Sequence, residues 1–317
     1  MPRLRNIMMK NIREKEGVVL YVASTFLWIR CLDMSENHDI EHVGSNAEST
    51  SSENQQNPEI KKQESSETVK SYVDMLLGRQ GQKVVDTETL IAQTQKRVWS
   101  SLTKGYEYPP IIDESDKFLR KHVFSRINMI VLYVDLVGST DITLSLPEDK
   151  VAIIISSFAQ EMASTITQHD GYVLKFVGDA VIGYFIAEGN IDTADNAVNC
   201  AKSMLMVIEK GINPILSQYD YPELMVKIGL DYGQNIIMRY GADVERSHVD
   251  VLGPAMNIAS KIQSMAKPNQ ILIGEDVYTR LHPTIQKSFE KVVWSKHKWK
   301  YQDRETGQLY PVFAYIG

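Results

Sequence analysis

From Met129 onward the apolar and polar positions fall into a regular order. Met129 to Val134 (MIVLYV) is an uninterrupted apolar run of strand length. After Pro147, the positions Val151, Ile154, Ile155, Phe158, Met162 and Ile166 recur with a helical period, and the pattern stops at His169-Asp170-Gly171. Tyr172 to Val177 and Ala180 to Ile186 read as two strands about a very short turn, Gly178-Asp179. A helix is expected over about 191–210. Met225 to Leu230 and Ile236 to Tyr240 read as a further hairpin, Pro254 to Met265 as a helix, and Gln270 to Ile273 as a short strand. The tail, KHKWKY followed by LYPVFAYI, reads as a closing hairpin. This alternation predicts the α+β class, with helices packed on a largely antiparallel sheet.

Upstream the pattern is looser. Residues 35–67 are rich in Ser, Glu, Asn and Gln with almost no large apolar side chain, too little burial to offset ordering entropy, so disorder is expected there. Residues 68–78 and 86–103 read as helices separated by Gly78 to Gly81. Thr87 is the expected N-cap of the second, and Ile91, Val98 and Leu102 fall near one face. Tyr106 to Asp113, with Pro109-Pro110, reads as a linker. Val18 to Ile29 is an apolar run after a basic start (Arg3, Arg5, Lys10, Arg13). It is too short to span a bilayer comfortably, and no small-residue cleavage site follows. Met34 opens the hydrophilic stretch and is the expected true start. The expected organisation is an apolar extension over 1–33, a disordered acidic segment over 34–67, a helical arm and linker over 68–127, and a catalytic domain over 128–317.

Composition narrows the partners. Of 317 residues, 43% are hydrophobic and 23% charged, enough for an ordinary core. The formal net charge of −6 argues against broad attraction to nucleic acid, so a phosphate-rich ligand would need metal ions or local cations. The WSKHKWKY stretch at Trp294 to Tyr301 reads as a strand with one wet face rather than as a nucleic-acid contact. The two cysteines, Cys31 and Cys200, read as reduced thiols of a cytoplasmic protein; a membrane anchor through Val18 to Ile29 stays open as the less favoured alternative. No Cys/His cluster has zinc spacing, and the seven histidines are scattered.

Three segments carry candidate chemistry. In Tyr133-Val134-Asp135-Leu136-Val137-Gly138-Ser139-Thr140 a carboxylate ends an apolar strand and a small turn follows. The carboxylate can hold a hard cation, and the turn's N–H groups can hold phosphate oxygens. Taken alone, Asp135 could equally cap the turn. In Lys175-Phe176-Val177-Gly178-Asp179-Ala180-Val181 the turn sets Asp179 at a sheet end, with room to face Asp135. Two carboxylates so placed can bridge two metal ions. In the segment from His248 to Lys261, Asn257 and Lys261 are four apart on a helix and share a face, an amide and a cation suited to a ribose and a phosphate. A solvated polar face would look the same.

In this order the three segments resemble the class III adenylate/guanylate cyclase catalytic domain, over about residues 128–317. The Gly-Gly-Asp/Glu-Glu-Phe signature of diguanylate cyclases is absent. The resemblance implies a ferredoxin-like sheet and conversion of ATP, with GTP as the alternative, to the cyclic monophosphate and pyrophosphate. It implies two Mg2+ (or Mn2+) on Asp135 and Asp179. It further implies a triphosphate cradle from the Leu136 carbonyl and Gly138, Ser139 and Thr140, a base-selecting pair in Lys175 and Asp250, and a ribose-orienting Asn257. The active sites would be shared across a head-to-tail homodimer. The departure is Lys261, where the family usually has Arg. Lys keeps the charge and loses the two-pronged donor, which leaves open a nucleotide-binding regulatory domain with little turnover.

Overall fold

The computed structural model describes residues 86–105, 108, 110–187, 192–294, 298–303 and 306–317. The expectations for residues 1–85, namely the apolar run, the Met34 start, the acidic segment and the first helix, lie outside the described residues.

The first described element is helix α1 (Thr87–Lys104). Its N-cap is Asp86 rather than Thr87, because the Asp86 carboxylate accepts from the Thr89 N–H at 3.0 Å. Helix α2 (Asp113–Lys121) leads into β1 (Arg126–Leu136), then the short α3 (Ser139–Ser145) and α4 (Glu148–Gln168). Strands β2 (Tyr172–Val177) and β3 (Ala180–Ile186) follow as expected, and α5 (Thr193–Met206) runs through a π-helical turn, Val207–Ile212, into α6 (Asn213–Ser217). Then come β4 (Val226–Tyr240), β5 (His248–Leu252), α7 (Pro254–Met265), β6 (Gln270–Gly274), α8 (Glu275–Tyr278), α9 (Pro283–Gln286), β7 (Phe289–Val292) and β8 (Val312–Tyr315).

Among the described residues the eight strands form one sheet, ordered β2-β3-β1-β4-β6-β8-β7, with β5 paired to β4. The β2/β3, β3/β1 and β1/β4 pairs are antiparallel, and only β4/β6 is parallel. The order β2-β3-β1-β4, with α4 after β1 and α5 after β3, is the ferredoxin-like arrangement. β1 is central and covered on both faces, hence its unbroken apolar run. Ile130, Leu132 and Val134 face the layer of α4 and α5, and Ile127, Met129 and Val131 face that of α2 and α7. Among the described residues no helix is long and apolar enough to cross a membrane.

Two expected hairpins are corrected. Val226 to Tyr240 is one continuous strand, not two about a turn. The polar residues that suggested the turn are held by distant partners: Asp231 is buried and accepts from the Tyr310 hydroxyl at 2.8 Å, and Gly233 lies beneath Ala255 of α7. The hairpin partner of β4 is β5. At the C-terminus, β8 pairs with β7, and the described residues of 294–301 hold no strand; of the expected closing hairpin there remains an antiparallel bridge between Gln302 and Leu309, with the Tyr310 N–H donating to the Tyr301 carbonyl at 2.8 Å. Trp299 is instead a buried plug donating its indole N–H to the Tyr310 carbonyl at 2.8 Å.

Helix α1 belongs to the same core: Leu90 and Val98 join the cluster built on α4 and α5. In the π turn next to α5 the Lys210 carbonyl accepts from the Gln95 side chain at 2.7 Å. At the centre of the contact is Glu161 of α4, 0% exposed. It accepts from Thr94 Oγ1 (2.8 Å), Arg97 Nε and Nη2 (2.8 and 2.6 Å) and the Tyr108 hydroxyl (3.0 Å). Such a carboxylate is held by its donors and becomes costly once it loses them. Glu161→Gln turns one acceptor into a donor facing donors, so it is expected to cost about 1–3 kcal/mol of unfolding free energy. Urea unfolding would show this, and wild-type stability in the variant would mean that the carboxylate does not fasten α1.

Candidate active site

At the end of β1, Asp135 stands opposite Lys227 of β4, and its neighbour Val134 opposite Val181 of β3. The β2–β3 turn therefore lies at the same end of the sheet. Gly178 takes the left-handed conformation there (φ 62°), which lets a two-residue turn present Asp179 toward β1. Asp135 is half-buried. Burial pushes its carboxyl above the usual range, the Asp179 charge adds to this, and a hydrogen bond from Gln263 and the Lys227 charge oppose it. A partly desolvated carboxylate strained by a second one is relieved by a cation. The described residues hold no cluster of three or more His, Cys, Asp or Glu that could hold a metal. Two carboxylates leaving the other positions to water and phosphate oxygens fit Mg2+ or Mn2+ rather than an all-protein cage. Next in the chain, Leu136 ends β1 with a buried side chain. Gly138 (φ 70°) caps α3, so Ser139 and Thr140 fall in its first turn.

A second pair forms on the same sheet. The β2/β3 register shifts at Leu174, so Lys175 pairs with Ile182, which pairs in turn with Tyr133 of β1. Without this bulge Lys175 would take the opposite face. The Lys175 ammonium donates to Asp250 Oδ2 at 2.5 Å, and the Val251 N–H donates to Asp250 Oδ1 at 2.9 Å. Tyr133 shares this row, and burial and then the Asp250 charge push its phenol up. The motifs did not single out Tyr133, whose only sequence signal is an aromatic two residues before Asp135.

The third segment divides its roles by face. Helix α7 buries Ala255, Met256, Ala259, Ile262 and Gln263 and exposes Asn257 and Lys261. It lies close on β4 because Gly229 has no side chain: a Cβ there would stand 2.4 Å from the Gln263 nitrogen. Gln263, 8% exposed, donates from Nε2 to Asp135 Oδ2 at 3.1 Å. Sequence reasoning stopped at Lys261 and missed it. Two residues on a helix are about 200° apart, so with Gln263 facing Asp135, Lys261 points away from its own chain's carboxylates. Asn257, six residues before Gln263, falls about 240° away and also points outward.

The profile of the adenylate and guanylate cyclase catalytic domain matches residues 124–308. A cytidylate cyclase of Escherichia coli is 24% identical over 235 residues, covering 69% of this chain and 50% of that protein. A cytidylate cyclase of Staphylococcus aureus is 27% identical over 172 residues, covering 52% of this chain and 40% of that one. The chain thus spans half or less of the length of these curated relatives. Among solved structures, the guanylyl cyclase Cya2 superposes with a TM-score of 0.52 at 22% identity, covering 62% of this chain and 94% of that chain, a likeness of fold.

Proposed function

Since the chain belongs to the adenylate and guanylate cyclase catalytic domain family, we propose that it is an adenylate cyclase, converting ATP to 3′,5′-cyclic AMP and pyrophosphate. The observation that carries the choice of base is the Lys175–Asp250 pair. Its ammonium offers a donor to a ring nitrogen and its carboxylate an acceptor to the neighbouring amino group, the pattern of adenine N1 and N6. Guanine reverses both positions, and a site built for one pattern leaves buried polar groups unpaired with the other.

In this reading Asp135 and Asp179 would hold two divalent cations, Mg2+ or Mn2+, whose charge would lower the pKa of the ribose 3′-hydroxyl and offset that of the triphosphate. The Leu136 carbonyl and the backbone of Gly138, Ser139 and Thr140 line the triphosphate, Asn257 orients the ribose, and Lys261 offers a cation to the α-phosphate. The 3′ oxygen attacks the α-phosphorus in line, its proton leaves to solvent, and the bond to the β-phosphate oxygen breaks, releasing pyrophosphate. The chain's own contribution is positioning and charge, as in other phosphoryl transfers. The outward face of α7 supports a head-to-tail homodimer: Asn257 and Lys261 turn away from their own Asp135, so they would serve the partner's site.

A second reading has its own support. Cytosine N3 and its 4-amino group repeat the adenine pattern, and both curated relatives described above are cytidylate cyclases. The test is to incubate the purified full chain with ATP, CTP, GTP and UTP in turn, each with Mg2+ or Mn2+, and to identify the products. Cyclic AMP from ATP, with GTP and UTP poor, is the expected result. CTP as the best substrate would move the assignment to the second reading, and a preference for GTP or UTP would show that the base pairing is wrong. A folded protein that binds nucleotide and turns over none of the four would be a regulatory domain. Lys175→Glu with Asp250→Cys is expected to weaken ATP use more than GTP use.

A further inference from the structure

We propose that Gln263 is a positioning residue for Asp135, so that one helix serves two active sites of the dimer. The proposal rests on the reading of Asp135 as a metal ligand. The Gln263 amide is almost wholly buried and donates to Asp135 Oδ2 at 3.1 Å, a contact made across 128 residues of sequence. It can be made only because Gly229 lets the backbone of α7 lie against β4. The chemistry of the donor matters. A Lys or Arg in this place would neutralise Asp135 and compete with a cation. A neutral amide fixes one oxygen and leaves the carboxylate's charge available to a cation. Partners of this kind, which orient a ligand without touching the metal, carry a large part of metal affinity. The outward face of α7 presents Asn257 and Lys261 to the other subunit's site, while Gln263, two residues from Lys261, governs the metal half of its own.

Gln263→Met keeps the length and apolar packing of the side chain and removes the donor; Gln263→Leu serves if Met is not tolerated. Binding of Mn2+ to the full-length protein without nucleotide, followed by electron paramagnetic resonance of the free ion, is expected to weaken about tenfold or more in the variant, with the thermal midpoint close to that of the wild type. Unchanged Mn2+ affinity would overturn the proposal. A wild type that binds no Mn2+ would overturn the metal reading beneath it and the proposal with it. Mixed dimers locate the defect independently. Gln263→Met combined with Lys261→Ala should regain activity, because one hybrid site then takes its Asp135, Gln263 and Lys261 all from unmutated positions. Combined with Asp135→Asn it should regain none, because both lesions lie in the metal half. The opposite pattern would mean that Gln263 merely holds α7 in place for Asn257 and Lys261, and would sink the assignment.

Discussion

Asp135→Asn and Asp179→Asn are each expected to leave the fold intact and to remove nearly all turnover, a loss beyond the roughly 10²–10³ that follows removal of one transition-state donor. The two carboxylates would together hold the cations, so the loss of either would empty the site. For Asp135 the stability effect should run the other way. Burial and the Asp179 charge raise its carboxyl in the folded protein. A group whose folded pKa lies above its unfolded one contributes stability at low pH that is lost as pH rises through the raised value. Above that raised value the ionised Asp135 is a burden on the fold, and Asn, which can still accept from Gln263, relieves it. Thermal unfolding and a turnover assay on the same preparation would show an inactive variant at least as stable as the wild type. Full activity in either variant would rule out the two-metal assignment.

Lys261→Ala is expected to cost on the order of 10²–10³ in turnover while leaving ATP binding nearly unchanged. Lys261 is exposed on α7 and would meet the α-phosphate of the partner's site as a point charge, without the parallel donors of a guanidinium. Lys261→Arg should preserve or raise the rate. Mixing Lys261→Ala with Asp135→Asn protein should restore part of the activity, since one hybrid site then contains no mutated residue. Failure of that complementation, with both parents folded and dimeric, would refute the shared site. A Lys261→Ala enzyme as fast as the wild type would show that another cation, such as Arg239 or Arg246 of the β4–β5 hairpin, has the role.

Much of the catalytic half was legible because its signals are local. The apolar run of β1, the 3.6-residue period of α4, the Gly-Asp turn between β2 and β3 and the paired Asn257 and Lys261 on α7 each declare themselves within a few residues. Local signals also misled. At the start of α1 two adjacent residues could cap, and the carboxylate of Asp86 took the bond. The polar residues from Asp231 to Gln234 resemble a turn, and nothing nearby says that Tyr310, 79 positions later, will accept Asp231 into the interior.

By itself, then, the sequence determined the order of strand, long helix and hairpin in the β1-to-β3 unit, though not the short helix α3, which reads as a turn, and it marked side chains that could carry phosphate and metal chemistry. Periodicity and turn chemistry act over one or two turns of chain, and they need no partner to be read. The tertiary structure alone decided which of those side chains meet. The bulge at Leu174 chose the face of Lys175 and so its contact with Asp250. The bare backbone of Gly229 set the height of α7 and brought Gln263 to Asp135. The buried Glu161 drew α1 onto the domain through donors on α1 and at Tyr108. These are contacts between residues 53 to 128 positions apart. Their energy depends on excluding water from both partners at once, which happens only when the sheet and its helices have come together.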